Sequence, residues 1–346
     1  MNRAMTPRDF AYSVAMCTYN GAAYVGEQLR SILAQPTPPV QVVVADDGST
    51  DGTVAIVKAV FDAWNRAHPP IDVVVIDKRL GQGVAKNFER ALELCTAEFI
   101  AIADQDDVWT SSRIAAAMAL FVEVPEAILV ASDALLVDSM GVTQHRTQFS
   151  ELSASTSEIA ELNGPVAYRS QLRRNILPGM AFLVQRRFVT AALPIPDGWM
   201  HDEWLATLAA CRGGLRVSEQ SLVEYRQHDS NVIGAGRRTL LDKVQKVFGG
   251  TLDGDITSLK YEALLAYAQS QPFDGEVVST VEQKYAFEFK RSELPRLRLA
   301  RIVPIVRLLR ARQYEIFASN GNLNAIRDLM QAKSARPVVR EKAKRG

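Results

Sequence analysis

The residues best suited to chemistry lie at 104–107, where an Asp-Gln-Asp-Asp sequence directly follows the apolar run 99–103. Such a run is typical of a buried strand, and carboxylates left unpaired at its end would be costly. In an α/β sheet, ligands bind outside the carboxyl ends of the strands, so Asp104 and Asp106 would offer oxygen ligands to a hard divalent cation and its phosphate companion. The alternative is an acidic turn that caps a helix beginning near residues 111–112.

Two more strand-like segments end in polar residues. Residues 13–18 run into Tyr-Asn-Gly, and the β-branched segment 40–45 runs into Asp46 and Asp47. Strand ends of this kind would share one crevice with the acidic motif, and a nucleotide is the natural ligand for it. The chain has neither the glycine fingerprint of dinucleotide-binding proteins nor a P-loop. The phosphates would therefore be held by a metal on the carboxylates or by side chains such as Lys86.

The elements that must position these residues alternate along the first 130 residues. Apolar residues recur at helical spacing between the strands, as at Val57 and Phe61, and Ser49 or Thr50 is the predicted cap of that helix. Strand and helix in turn predict right-handed crossovers, and hence an α/β, Rossmann-like, mainly parallel sheet flanked by helices. The polar stretch 138–167 is predicted to be a long loop on the acceptor side.

The composition is that of an ordinary globular protein, with 346 residues, 47% of them hydrophobic and 23% charged. A formal net charge of +1 gives no reason to expect a nucleic-acid partner, although the last third of the chain is basic. The three cysteines are isolated, which favours neither a zinc site nor a disulfide framework and fits reducing, cytoplasmic conditions. Neither a signal peptide nor a membrane-spanning segment is indicated.

Three motifs taken together resemble family 2 glycosyltransferases of the GT-A fold. They are Val-Ala-Met-Cys-Thr-Tyr-Asn-Gly at 14–21, Asp-Asp-Gly-Ser-Thr-Asp-Gly-Thr at 46–53 and Ala-Asp-Gln-Asp-Asp-Val-Trp at 103–109. Segments 86–89, 201–205 and 225–234 resemble a bacterial branch of rhamnosyl- and glucosyltransferases of O-antigen and capsule assembly. The resemblance covers about residues 11–236.

The resemblance implies a GT-A catalytic domain at 1–236, with a nucleotide-sugar half at 11–122 and an acceptor half at 123–236. Residues 237–332 are predicted as a helical C-terminal region, and 333–346 as a basic, disordered tail.

The resemblance also assigns roles on the donor side. Tyr19 would stack on the base, Asp47 would accept a hydrogen bond from its imide N–H, and Asp104 would face the ribose. Asp46 would have a mainly structural part, and Lys86 is a candidate for the phosphates. The donor-binding set is Thr18, Tyr19, Asn20, Asp46, Asp47, Lys86 and Asp104.

For the metal, the resemblance implies Mn²⁺ or Mg²⁺ on Asp106, where it would bridge the two donor phosphates. His228 follows a strand-like segment and is either a further metal ligand or an ordinary surface histidine; both interpretations stay open.

On the acceptor side, Asp202 would be the general base of an inverting transfer, and the alternative is a carboxylate that complements a helix dipole. In this branch, His201 stands where many relatives have a glutamate, and Glu203 replaces a common aromatic residue. The segment around Gly179 would line the acceptor pocket or simply form a tight turn. The acceptor-binding set is Gly179, Met180, His201 and Trp204.

The predicted function is inverting, metal-dependent transfer of a sugar from a nucleotide-diphosphate donor, dTDP-rhamnose or UDP-hexose, to a glycan or lipid-linked glycan in cell-surface polysaccharide assembly. The alternatives are a non-catalytic carbohydrate-binding or scaffold protein on a transferase fold, and a sugar-phosphate nucleotidylyltransferase. Arginine and leucine interleave between residues 291 and 312, which predicts either a broken amphipathic helix on an anionic membrane surface or a helical hairpin packed on the protein. The predicted location is the cytoplasm, with the inner face of the cytoplasmic membrane as a candidate site of attachment. The sequence leaves the oligomeric state open.

Overall fold

The computed structural model describes residues 10–77, 83–228, 251–252 and 254–333. The chain forms two compact units. The first, called the N-terminal unit, comprises Met1–Ala167, Ile176–Ile195 and Trp199–Gly236. The second, called the C-terminal unit, comprises Tyr168–Asn175, Pro196–Gly198 and Arg237–Gly346.

The described strands and helices alternate over the first half of the chain, as the sequence predicts. The strands are β1 Tyr12–Thr18, β2 Gln41–Asp46, β3 Asp72–Ile76, β4 Phe99–Asp104, β5 Val108–Trp109, β6 Leu129–Val137, β7 Thr143–Thr147, β8 Leu183–Gln185, β9 Leu215–Arg226, β10 Thr251–Leu252 and β11 Ala332–Lys333. The helices are α1 Val25–Leu33, α2 Thr53–Asn65, α3 Val84–Glu93, α4 Arg113–Glu123, α5 Gln148–Glu151, α6 Thr156–Leu162, α7 Ala167–Arg173, α8 Arg186–Ala192, α9 His201–Cys211, α10 Gly254–Ser270, α11 Gly275–Ser292, α12 Ile302–Arg310, α13 Gln313–Phe317 and α14 Leu323–Met330.

Strands β1 to β9 form one mixed sheet in the described part of the N-terminal unit. The order is β3-β2-β1-β4-β8-β6-β9-β5, with β7 paired to β6. The first four strands are parallel, and β6 is parallel to β9, whereas β8 is antiparallel to both of its neighbours. The α/β fold is therefore confirmed, with antiparallel pairs in its second half.

Burial on both faces explains the composition of the central strands. Strand β2 is buried along its whole length, and its Val42, Val43 and Val44 fit a sheet that helices cover on both sides. Helix α1 buries Leu29 and Ile32 in the same core. The interior of this unit thus holds rigid strands whose carboxyl ends project toward one edge.

The predicted long loop at 138–167 is wrong, because these residues form β7, α5 and α6 and enter α7. The polar residues that suggested a loop act as helix caps. The Thr147 hydroxyl accepts a hydrogen bond from the Ser150 N–H in a capping box, and the Ser155 side chain caps α6 in the same way.

The predicted cap of α2 is also wrong. Helix α2 begins after Gly52, which has a φ of +91° that favours glycine. Ser49 instead donates its hydroxyl hydrogen to Asp46, and the Thr50 N–H donates to the side chain of Asn20. The hydroxyl residues thus hold the loop that precedes the helix.

The C-terminal unit has its own hydrophobic core. Phe287, Leu294, Ile305, Leu308 and Tyr314 lie in it. The predicted break in the amphipathic stretch is present, since α11 ends at residue 292 and α12 begins at 302 after a short 3₁₀ turn.

Two features of this unit differ from the predicted helical region and tail. Residues 251–252 pair with residues 332–333 as the parallel strands β10 and β11, so Lys333 belongs to a strand. The rest of the predicted tail, 334–346, lies outside the described residues. None of the helices in the described ranges has the length and hydropathy of a membrane-spanning segment.

Candidate active site

The sheet register brings the polar strand ends to one edge. In β1, Cys17 lies beside Asp104 of β4, and Thr18 lies beside Asp46 of β2. Because parallel strands present their carboxyl ends together, the three polar loops that follow them meet at one edge of the sheet. The expected meeting of the three motifs is thus present in the fold.

The acidic motif is electrostatically strained. Burial and the neighbouring charges of Asp106 and Asp202 raise the pKa of Asp104 to about 7. Burial, with the charges of Asp104 and Asp106, raises the pKa of Asp107 well above its ordinary value. Asp202 lies far along the chain in α9, so its effect on Asp104 shows that the fold gathers these carboxylates. A cation bound among them would relieve this repulsion.

The end of β9 fastens the acidic turn. The Arg226 main-chain N–H donates to Asp107 Oδ1 at 3.1 Å, and its Nε donates to the main-chain oxygen of Asp106 at 2.9 Å. Its guanidinium also pairs with Glu27 of α1 at 2.8 Å. Asp107 Oδ2 is buried and accepts no hydrogen bond from the described residues. Arg226 is therefore the residue that fixes the turn bearing Asp106.

His228 reaches the same turn from the end of β9. Its Nε2 lies 2.9 Å from Asp106 Oδ2, and its ring stacks on Tyr24 with 4.9 Å between the ring centres. An imidazole nitrogen and a carboxylate oxygen at this separation suit a shared Mn²⁺ or similar ion. Within the described ranges no three His, Cys, Asp or Glu side chains gather into a metal-binding group.

The loop after β1 is held by Gln105. Its side chain accepts from the Tyr19 N–H at 2.9 Å and donates to the Tyr19 carbonyl at 3.0 Å. The Gln105 side chain packs against Gly21, since a Cβ on Gly21 would lie 2.1 Å from Gln105 Oε1 and would require that side chain to shift. The Tyr19 ring itself is 58% exposed, which leaves its face open to a ligand.

Asp46 and Asp47 have different environments. Asp46 is buried, and its oxygens accept hydrogen bonds from Thr18, Ser49 and the Gly48 N–H. Asp46 therefore holds the turn, as its structural role requires, rather than contacting a donor. Asp47 Oδ1 is buried without a hydrogen-bond partner among the described residues, which leaves an acceptor for an N–H of a ligand.

Two of the predicted donor residues have mainly structural contacts. The Thr18 hydroxyl donates to Asp46, and the Asn20 side chain accepts from the Thr50 N–H at 2.9 Å. Both link the loop after β1 to the loop after β2. A direct contact of their side chains with a donor stays a prediction.

Lys86 lies on α3, and its amine is engaged. It pairs with Glu89 at 3.0 Å and donates to the main-chain oxygen of Ile195 at 2.8 Å. Binding a donor phosphate would require it to exchange at least one of these partners. The binding of donor phosphates by Lys86 stays a prediction, and its cost is the loss of a contact with Glu89 or Ile195.

The N-terminus of α9 presents Asp202 beside the glycine turn. A Cβ on Gly179 would lie 2.6 Å from Asp202 Cβ and 3.2 Å from His201 Nε2. The 3₁₀ turn Gly179–Ala181 therefore packs directly against the first turn of α9, and only glycine permits that approach. Gly179 thus borders Asp202, and the acceptor roles of Gly179 and Met180 stay predictions.

The histidine before Asp202 is buried. The His201 ring stacks on Phe88 with 3.8 Å between the ring centres, and neither ring nitrogen has a hydrogen-bond partner among the described residues. Burial lowers the pKa of His201 to about 3, so the imidazole is neutral near pH 7. A direct contact of His201 with an acceptor stays a prediction.

Trp204 corrects the predicted acceptor set. Its side chain is wholly buried, and its indole N–H donates to the main-chain oxygen of Ala192 at 2.8 Å. Its ring also packs at 5.2 Å from Trp199. Trp204 therefore anchors α9 in the core and does not reach an acceptor.

Sequence reasoning missed one buried cation. Burial lowers the pKa of Arg113 to about 9. Its guanidinium donates to the main-chain oxygens of Ile102 and Met180 at 2.9 and 2.6 Å, and lies 3.6 Å over the Trp109 ring. Arg113 thus ties β4 to the glycine turn and opposes the acidic charge. An arginine in the first turn of an apolar helix gave no signal of this.

The missed residues nearer the acids are Gln105, Arg226, Glu27 and Tyr24. Gln105 and Arg226 stand inside motifs that the sequence analysis quoted, and their adjacency to Asp106 and His228 was the only available signal. Tyr24 directly precedes α1, and Glu27 lies in its first turn. Nothing in their spacing indicates a contact with residues about 200 positions later.

The sequence profile described as glycosyl transferase family 2 matches residues 13–174. The dTDP-rhamnosyl transferase RfbG of Shigella flexneri is 27% identical over 233 residues, an alignment that covers 64% of this chain and 74% of RfbG.

Two solved structures share the fold. One is residues 1–349 of Staphylococcus aureus TarS in complex with UDP-GlcNAc, with a TM-score of 0.51, 18% identity, and coverage of 92% of this chain and 90% of that one. The other is the mannosyltransferase PcManGT of Pyrobaculum calidifontis in complex with GDP-Man and Mn²⁺, with a TM-score of 0.52, 18% identity, and coverage of 90% and 78%.

Proposed function

We propose that this chain, whose residues 13–174 match the profile of the family 2 glycosyltransferases, is an inverting, metal-dependent hexosyltransferase of cell-surface polysaccharide assembly. The donor is a nucleotide-diphosphate sugar, dTDP-rhamnose or UDP-hexose, and the acceptor is a glycan or lipid-linked glycan. The observation that carries the proposal is the convergence of Asp104, Asp106 and Asp202 at one sheet edge. The dTDP-rhamnosyl activity named for RfbG favours dTDP-rhamnose as the first donor to test.

The donor base lies between Tyr19 and Asp47. The exposed ring of Tyr19 offers a stacking face, and the unpartnered Asp47 Oδ1 offers an acceptor for an imide N–H. Uracil and thymine present the same imide edge, so these two residues accept either base. Discrimination between UDP and dTDP donors must come from elsewhere in the site.

The metal is Mn²⁺ or Mg²⁺, and the side chains present fit it. Asp106 and His228 would hold the ion, because their nitrogen and oxygen atoms already lie 2.9 Å apart within a cluster of like charges. A histidine ligand favours Mn²⁺ over Mg²⁺, which prefers oxygen. When bound, the ion neutralises the charge of the leaving diphosphate.

The chemistry of the protein's own residues centres on Asp202. Its carboxylate accepts the proton of an acceptor hydroxyl as that oxygen attacks C1 of the donor sugar, on the face opposite the departing diphosphate. Asp202 stands in the first turn of α9, where the helix dipole favours a negative charge. The glycine turn packed against it holds the base in place, and Arg226 holds the diphosphate side of the site.

The location follows from the proposed acceptor. We infer transfer in the cytoplasm, with the enzyme at the inner face of the cytoplasmic membrane when the acceptor is lipid-linked. The basic segment of the C-terminal unit supports this placement.

The test separates binding from chemistry. A thermal-shift screen of nucleotide sugars with Mn²⁺ identifies the donor, and donor hydrolysis then reports turnover without a known acceptor. Asp202→Asn should lower kcat by roughly 10²-fold or more and leave donor affinity nearly unchanged. Asp106→Asn should weaken metal-dependent donor binding by at least about tenfold.

The matched control is Glu203→Gln, which removes the neighbouring carboxylate from the same helical turn. It should retain most of the turnover. If Glu203→Gln loses kcat while Asp202→Asn keeps it, the base is misassigned. If no nucleoside diphosphate binds the protein with Mn²⁺ or Mg²⁺ by calorimetry, the proposed activity is wrong.

A further inference from the structure

The stretch between residues 296 and 310 exposes aliphatic and cationic side chains together. Leu297 and Leu299 are 77% and 82% exposed, and further aliphatic residues are exposed in α12. This set, called the basic-apolar surface, consists of Arg296, Leu297, Arg298, Leu299, Ile302, Val303, Val306, Arg307 and Arg310. Large apolar side chains are normally exposed singly, so a group of five within ten residues needs an explanation.

Helix α12 shows that this exposure is organised. At 100° per residue, its five exposed members lie within an arc of about 140°, and Ile305 and Leu308 lie on the opposite side, in the core. The exposed arc therefore carries both apolar and cationic residues on one face. Core packing accounts for the other face only.

The structure also separates structural arginines from available ones. Arg291 makes a bidentate pair with Asp328, at 2.7 and 2.8 Å, and the buried Arg301 donates to the main-chain oxygens of Pro295, Asp328 and Gln331. These two arginines hold the C-terminal unit together. They are therefore not available to bind another molecule, which leaves fewer of the arginines between residues 291 and 312 for that purpose.

The four arginines of the basic-apolar surface are different. Arg296, Arg298, Arg307 and Arg310 are exposed, and their side chains make no ion pair with another described residue. The sequence from 296 to 312 contains no aspartate or glutamate. The surface therefore presents unneutralised positive charge beside aliphatic side chains.

We propose that the basic-apolar surface docks on an anionic lipid bilayer. The aliphatic side chains enter the boundary between headgroups and acyl chains, and the guanidinium groups bind lipid phosphates while their stems cover apolar surface. Charge complementarity selects this occupant, because a second copy of the chain would bring the same four positive charges against them. The inference gives a surface to the membrane location above and in that respect rests on the proposed function.

The experiment measures cosedimentation of the full chain with vesicles of phosphatidylglycerol and phosphatidylcholine at low and high salt. Binding should require phosphatidylglycerol and weaken with salt. Changing the four exposed arginines to glutamine should weaken binding roughly several hundred-fold, at about fivefold per charge. The double change Leu297→Ser and Leu299→Ser should weaken vesicle binding at least about tenfold, because it removes two apolar side chains that would enter the bilayer.

The matched control is Met140→Ser with Val142→Ser in the N-terminal unit. Met140 is 83% exposed and Val142 is 60% exposed, and no arginine cluster accompanies them in the sequence. This variant should bind vesicles like the unchanged protein. Circular dichroism of every variant checks that the fold persists.

Three results would overturn the inference: equal binding to neutral vesicles, unchanged binding by both surface variants, or loss of binding in the control variant alone. Concentration-dependent dimerisation that the leucine changes abolish, with no vesicle binding, would assign the surface to a second copy instead. Donor hydrolysis is measured on the same proteins in solution. If hydrolysis is absent while vesicle binding behaves as expected, the proposed activity fails and the docking surface stands.

Discussion

The buried histidine beside the proposed base predicts a measurable cost of folding at acidic pH. The pKa of His201 is lowered to about 3 by burial, whereas an unfolded histidine titrates near 6.5. Between these values the unfolded chain binds a proton that the folded chain does not, so the free energy of unfolding falls as pH falls from about 7 toward 3. At 1.36 kcal/mol per pH unit, His201 should remove about 2 kcal/mol between pH 7 and pH 5.

The assay compares the unchanged protein with His201→Gln in urea at pH 7 and pH 5. Trp64, Trp109, Trp199 and Trp204 all lie in the N-terminal unit, so tryptophan fluorescence follows the unit that contains His201. The free energy of unfolding of the variant minus that of the unchanged protein should be about 2 kcal/mol larger at pH 5 than at pH 7.

Taking this double difference removes the other titrating groups. Asp104 has a raised pKa and works in the opposite direction, since its folded form binds a proton first as pH falls. His68→Gln is the control, because that histidine is exposed, and it should keep the pH dependence of the unchanged protein. An identical pH dependence for His201→Gln and the unchanged protein would refute the reasoning, because it would mean that the ring is hydrated or hydrogen-bonded.

Two further predictions concern close packing and a buried charge. Gly179→Ala places a Cβ 2.6 Å from that of Asp202, so kcat for donor hydrolysis should fall at least about tenfold while donor affinity is retained. The control is Gly275→Ala, where the added Cβ meets open space, and it should change neither kcat nor donor affinity. Equal kinetics for both variants would contradict the packing argument. Asp328→Asn removes the charge that pairs with the largely buried Arg291, so the free energy of unfolding of the C-terminal unit should fall by about 3–5 kcal/mol. Hydrogen exchange measured across a urea series follows this unit separately. The exposed pair of Arg312 and Glu315 is the comparison, and Glu315→Gln should change the stability of this unit much less than Asp328→Asn does, because solvent screens an exposed pair. Similar losses in the two variants would show that burial does not set the cost.

The sequence predicted the fold best where one physical signal dominated. Strands β1, β2 and β4 are runs of apolar or β-branched residues, and each ends where small polar residues begin. Burial on both faces of the sheet demands such runs, so the pattern is nearly unambiguous. The polar ends then follow from the shared direction of parallel strands. This is why the gathering of the acidic motifs was predictable without coordinates.

The predictions failed where side-chain direction mattered. Helix α9 is buried on every side from Trp204 to Cys211, so it has no polar face that would show which residues point toward the crevice. The sequence analysis treated the arginines between residues 291 and 312 as one set, whereas the structure shows that Arg291 and Arg301 bind other residues of the C-terminal unit. Their partner Asp328 lies 37 residues beyond Arg291, a separation at which sequence gives no sign of contact.

The position of β9 in the sheet bears on when the acidic site assembles during folding. Strand β9 lies between β6 and β5, and β5 has no other partner among the described strands. Its last residue secures a turn that was synthesised about 120 positions earlier. A growing chain therefore carries its acidic motif out of the ribosome long before the strand that arranges it. Closing a loop of that length is slow compared with local helix formation, so we expect the site to assemble late in folding, when β9 joins the sheet.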